Sequence, residues 1–137
     1  MISITYISSA TAPLSDEALL KLVDQCQKTN QRLGVTGVLV YSEGNFMQVI
    51  EGAELVTLAL YERIKLDTRH AGVTTVNEQQ IQACEFDGWS MAYNILRPKS
   101  LRAPRLPQAF IDRAGRRPLP LPQGSASRLL WSFMQSP

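Results

Sequence analysis

The run Phe46-Met47-Gln48-Val49-Ile50-Glu51-Gly52 constrains this chain more than any other stretch. Read as a strand, it alternates its side chains, so Phe46, Gln48 and Ile50 share one face. A primary amide buried between two large apolar groups without partners costs about 1–3 kcal/mol. Either this face is open to water, or the fold brings partners to both the amide oxygen and the amide nitrogen. The rest of the sequence favours the second alternative.

Ile2 to Ser8 alternates as a strand, with Ile2, Ile4 and Tyr6 on one face. Ser15 is placed to cap a helix whose first turn carries Asp16 and Glu17, and whose buried stripe is Leu19, Leu22, Val23 and Cys26. Asn30 to Gly34 ends that helix. Gly34 to Tyr41 is a β-branched run, Ser42-Glu43-Gly44-Asn45 a hairpin turn, and Phe46 to Ile50 the returning strand. Val56, Leu60 and Ile64 are four apart and predict a second helix over 53–66, on which Arg63 and Asp67 face the same way. Thr74 to Phe86 reads as a fourth strand. Trp89 to Leu96 reads as a fifth, with Trp89, Met91 and Tyr93 on one face.

The order β-α-β-β-α-β-β predicts an α+β, ferredoxin-like fold. Its five-stranded mixed sheet would carry both helices on one face. The other face then needs a cover. Residues 108–114 and 125–135, with Phe110, Ile111, Leu129, Leu130, Trp131, Phe133 and Met134, are apolar enough to supply it as two short C-terminal helices. Charge divides the chain at the same place. Residues 1–97 form the body, and up to Leu96 they hold 6 Lys/Arg against 11 Asp/Glu. Residues 98–137 are a Pro-rich extension, and the stretch from Arg97 onward holds 8 Lys/Arg against 1 Asp. Arg117 to Gln123 reads as a connector.

Several function classes fall away. A single histidine, His70, excludes multi-His metal centres and leaves little material for acid–base catalysis. Cys26 and Cys84 form no CxxC pair, and GxSxG, P-loop and GxGxxG signatures are absent. An acylphosphatase-like hydrolase would need an anion-binding loop before the first helix, and Ser9-Ala10-Thr11-Ala12-Pro13 lacks basic and glycine residues. No apolar run approaches the ~20 residues that span a bilayer. With no leader pattern at Met1, a cytoplasmic location is expected. The basic extension carries no recognised nucleic-acid-binding motif, so a nucleic-acid partner is not expected. The chain reads as a binding or sensing module rather than an enzyme.

On this layout Tyr6, Gln48 and Met91 can converge beneath the two helices. The segments that carry them are Tyr6-Ile7-Ser8, Thr29-Asn30, Leu33-Gly34-Val35-Thr36-Gly37, Gly44 to Gly52, Arg63-Ile64-Lys65-Leu66-Asp67-Thr68-Arg69-His70 and Phe86-Asp87-Gly88-Trp89-Ser90-Met91. In this order and spacing the sequence resembles the BLUF family of flavin-based blue-light sensors over most of residues 2–96.

The resemblance implies FAD or FMN as ligand, held between the helices by Tyr6, Asn30, Gln48, Arg63, Ile64 and Asp67. It implies Tyr6 as photochemical electron donor and Gln48 as the amide that exchanges hydrogen-bond patterns. Trp89 and Met91 are implied as the signal relay. Signalling would then pass to an unidentified protein partner, with self-association expected. A light-independent ligand-binding or interaction module on the same fold is the alternative. Cys26, where a small hydroxyl is usual, and Thr29, where Asn or His is common, depart from the family pattern.

Overall fold

In the computed structural model, which describes residues 1–96, 110–111, 118–119 and 124–135, strands and helices follow in a fixed order. They are β1 (Ile2–Ala10), α1 (Asp16–Leu33), β2 (Thr36–Ser42), β3 (Asn45–Gly52), α2 (Glu54–Lys65), β4 (His70–Gln80), β5 (Ala92–Leu96), β6 (Phe110–Ile111), β7 (Pro118–Leu119) and α3 (Ser125–Gln135). The strands form one mixed sheet in the order β4-β1-β3-β2-β5-β6-β7. Only β2 and β5 run parallel; the other pairs are antiparallel. The expected five-stranded α+β sheet is present, extended at the β5 edge by two short strands.

Local chemistry sets the ends of α1. The Ser15 side chain accepts from the Ala18 amide at 3.1 Å, and Asp16 and Glu17 occupy the positive first turn. Gly34 closes the helix at φ +70°, the left-handed conformation that glycine adopts without a Cβ penalty.

The sheet separates two cores. On the α1/α2 side lie Ile4, Tyr6, Leu19, Val23, Ile50 and Leu60, with Met91 among them. On the other side Val38, Val40, Met47 and Val49 meet Leu130 and Met134 of α3. α3 is therefore the cover that the second face required. Every residue of β3 from Phe46 to Gly52 is buried, because both faces of this strand are covered. Glu51 lies on the α3 side, fully buried. It accepts from Thr36 Oγ1 (2.9 Å), Glu85 N (2.9 Å) and Phe86 N (2.6 Å). Burial holds its carboxyl above the usual range, and the three donors oppose that rise.

Three boundaries differ from the sequence reading. β4 spans His70–Gln80 rather than Thr74–Phe86, because its length is set by β1: Ala10 pairs with His70 and Ile2 with Gln80. Two register shifts along that pairing break the two-residue alternation that a sequence reading follows. β5 starts at Ala92 rather than Trp89. A turn at residues 85–88 with Gly88 at φ +82° precedes it, and Trp89 N donates to Phe86 O at 2.9 Å. Phe110 and Ile111, expected in a short helix, form a strand on β5. One C-terminal helix, α3, is described where two were expected. The rest of 108–114, and the connector apart from Pro118–Leu119, lie outside the described residues.

Candidate functional site

β1 and β3 pair so that Tyr6 stands opposite Gln48, and Leu39 of β2 flanks Gln48 on the other side. This register is what the alternating pattern demands, since a one-residue slip of either strand would turn its polar group away from the helices. The Tyr6 hydroxyl donates to Gln48 Oε1 in a buried hydrogen bond. Gln48 Nε2 faces Met91 Sδ at 3.5 Å. A thioether is a weak acceptor, so the amide nitrogen keeps donor capacity for a better partner.

Beside this pair a small cleft opens between α1 and α2. Leu22, Leu39, Phe46 and Ile64 give it apolar walls, and Tyr6, Gln48, Cys26, Asp67, Arg69 and His70 line the remainder. Burial pushes the Tyr6 phenol well above its ordinary range, and Cys26, Tyr61 and Asp67 add to the rise. The group therefore stays protonated and serves as a donor. Burial likewise pushes the Cys26 thiol up to about 11, so it is a neutral wall of the cleft rather than a thiolate.

Of the residues implied by the resemblance, Tyr6, Gln48, Ile64 and Asp67 line the cleft together. Asn30 stands one turn beyond Cys26 on the same face of α1. It is buried, and its Nδ2 has no hydrogen-bond partner. Arg63 does not join them: it is exposed on α2 and absent from the cleft wall. Its place beside Asp67 is taken by Arg69. α2 ends at Lys65, so the four-residue spacing of Arg63 and Asp67 does not continue on a helix. Arg69 instead grips Asp67 through Nε (3.0 Å) and Nη2 (2.6 Å), and reaches Gln25 on α1 through Nη1 at 2.9 Å.

Met91 is buried on the cleft side, whereas Trp89 packs with Phe86 in the α3 core. The two relay residues therefore lie on opposite faces of the sheet rather than on one.

Gln27 and His70 also belong to this region, although neither is among the site residues that the sequence implied. Gln27 is buried, and its Nε2 donates to Met91 O at 2.9 Å. Its signal was present: a polar residue at the buried spacing Val23-Gln27-Asn30. His70 is clamped between Ile64 O (2.6 Å from Nε2) and Ser8 Oγ (2.8 Å from Nδ1), with its ring edge toward Tyr6. Because a carbonyl only accepts, Nε2 carries a proton.

The Arg69 guanidinium holds the Asp67 carboxyl down at about 2, below its unfolded value near 3.8. A depressed carboxylate contributes stability above the unfolded value and loses it as pH falls through the folded one. Both side chains are a third or more exposed, so the pair is worth under about 1 kcal/mol. Asp67→Asn is expected to lower the urea-derived stability by that amount at pH 6. The difference from wild type should shrink between pH 4 and pH 2, and a difference constant across that window would contradict the assignment.

A flat heteroaromatic ligand bearing carbonyl and ring-nitrogen acceptors fits this site. It matches the apolar walls, the underused Gln48 nitrogen and the orphaned Asn30 amide. Among the described residues no cluster of His, Cys, Asp or Glu could hold a metal ion.

Residues 1–92 match the family described as "BLUF: Sensors of blue-light using FAD". Photoactivated adenylate cyclase subunit beta of Euglena longa is 39% identical over 80 residues, which is 58% of this chain and 9% of that protein. The chain thus spans about a tenth of the curated relatives it matches. The dark-state structure of BlrB, a BLUF protein, superposes with TM-score 0.65 at 30% identity, covering 69% of this chain and 71% of that one. Klebsiella pneumoniae BlrP1 with FMN and cyclic diGMP superposes with TM-score 0.62 at 31% identity, over 69% of this chain and 25% of that one. With the Tyr6–Gln48 pair at the wall of the cleft and the family match covering residues 1–92, the chain belongs to the BLUF family.

Proposed function

We propose that this protein is a blue-light receptor in which Tyr6 and Gln48 form the photochemical switch. The carrying observation is the buried hydrogen bond from the Tyr6 hydroxyl to Gln48 Oε1 at the edge of the cleft. Asn30, Gln48, Ile64 and Asp67 would hold the flavin, with Arg69 and His70 added and Arg63 left out. The flavin supplies blue-light absorption and an electron acceptor when bound.

Tyr6 is the oxidisable group. Loss of an electron alone would leave a buried positive charge on Tyr6, which its surroundings disfavour, so it is coupled to loss of the phenol proton toward Gln48 Oε1. Gln48 can answer without moving its backbone: rotation or tautomerisation of the amide exchanges donor and acceptor. The electron and the proton both return to Tyr6, and the amide stays in its second pattern until it reverts in the dark. Residues 1–97 would be the sensor and the C-terminal segment its extension. The signal would leave by protein–protein contact, in keeping with relatives named as adenylate cyclases. Self-association and a cytoplasmic location are part of the same reading.

The test is an absorption spectrum of protein loaded with FAD or FMN, before and after blue light. A small red shift that decays in darkness is expected. An unshifted spectrum sinks the reading and favours a light-independent binding module on the same fold.

A further inference from the structure

Residues 84–91 join the two cores. At one end Met91 is buried on the cleft side, its sulfur against Gln48 Nε2 and its carbonyl held by Gln27. In the middle, Phe86 is buried in the α3 core, and Trp89 O accepts from Gly37 N at 2.8 Å. At the other end Glu85 reaches α3. Its Oε2 accepts from Ser127 N at 2.7 Å and from Ser127 Oγ at 2.6 Å. The fit is close, since a Cβ added to Gly124 would lie 1.9 Å from Glu85 Oε1.

α3 carries no acidic residue in its first turn. A helix N-terminus exposes unpaired N–H groups and a partial positive charge. Glu85 therefore supplies, from a distant part of the sequence, the acceptor and charge that α3 lacks. The backbone of Glu85 and Phe86 is in turn pinned to Glu51, on the strand that carries Gln48.

We propose that Glu85 is the latch that holds the α3 N-terminus on the sheet, and that a change of Gln48 hydrogen bonding acts on this latch through Met91 and residues 84–91. The coupling half of this proposal rests on the photoreceptor reading; the latch half does not. Turning the Gln48 nitrogen away from Met91 removes one of the two contacts that hold one end of a short segment whose other end is the cap. The cap is a charge-assisted hydrogen bond and weakens steeply with misalignment.

The test is amide hydrogen exchange over α3 in the full, flavin-loaded chain. In the dark, Glu85→Ala is expected to speed exchange of the first two turns of α3 about ten-fold or more, the effect of losing a hydrogen bond to a charged group. Its light-induced spectral shift should remain. Glu85→Gln, which keeps the shape but not the charge, should give a smaller acceleration and serves if the alanine variant does not fold. Exchange at the wild-type rate in the folded variants would overturn the latch. In wild type, blue light should accelerate the same amides. A normal spectral shift with unchanged α3 exchange overturns the coupling and leaves the photoreceptor reading standing. Absence of the shift overturns that reading, and the dark comparison still decides the latch.

Discussion

Gln48→Leu is expected to bind flavin and to lose the light-induced spectral shift completely. Leucine keeps the volume between Phe46 and Ile50 but removes the oxygen that accepts from Tyr6. Tyr6→Phe should be equally blind, because it removes both the oxidisable phenol and its proton. The stability costs follow from the same bond. Each single change leaves one buried polar partner unmatched, at about 1–3 kcal/mol. Changing both together removes the mismatch, so the double variant should be more stable than the two losses added would allow. Urea melts of the four proteins give the coupling, expected at roughly 0.5–3 kcal/mol. A photocycle of normal amplitude in either single variant would end the mechanism, while additive stabilities would mean that the two side chains do not share a bond.

Gly37→Ala should cost the fold itself. Gly37 lies opposite Ile50 in the β2–β3 pairing, and a Cβ there would stand 2.0 Å from Val49 O and 3.0 Å from Val49 C. Both obstacles are backbone, so no side chain can turn aside, and two buried strands must separate. Overpacking a core costs about 1–3 kcal/mol where side chains give way. Here about 3 kcal/mol is the lower bound, against about 5–15 kcal/mol for a whole domain. Separation would also disturb the amide that donates to Trp89 O. Thermal unfolding should fall by roughly 10 °C or more, or the protein should fail to accumulate in soluble form. Gly34→Ala is the control. No atom lies within 4 Å of its added Cβ, and only the φ of +70° is unfavourable, so its cost should be about 1 kcal/mol. Near-wild-type stability for Gly37→Ala would show that the strands are not held this close.

What could be read from the sequence was governed by short-range rules. Ser15, Gly34 and the turn before Phe46 mark their own positions, because caps and turns are local chemistry. Gln48 and Tyr6 were legible because strand alternation places each on a face, and only one face can be theirs. The need for a C-terminal cover followed from both helices lying on one face of the sheet.

The misreadings share a cause, which is that pairing partners decide where an element ends. β4 starts at His70 because Ala10 is there to pair with it, and no propensity scale contains that fact. Trp89 and Met91 are two apart and would share a face on a strand, but the turn around Gly88 comes first and β5 starts only at Ala92. Phe110 and Ile111 suit a helix or a strand equally, and the open edge of β5 selected the strand. Arg63 gave way to Arg69 because α2 stops at Lys65, two residues short of the Asp67 that the four-residue spacing included.

The division of the sheet into two cores bears on how such a sensor can be recombined with other proteins. A cut after residue 97 looks clean on the charge map and spares the cleft. It would nevertheless strip α3 from Val38, Val40, Met47 and Val49, opening the second core to water. A chimera built on residues 1–97 must therefore bring its own amphipathic helix, and a hydrogen-bond donor for the Glu85 carboxylate, or it will be sticky before it is dark-adapted. The interchangeable unit is not the stretch of sequence that family members share. It is that stretch together with whatever lies across the back of the sheet.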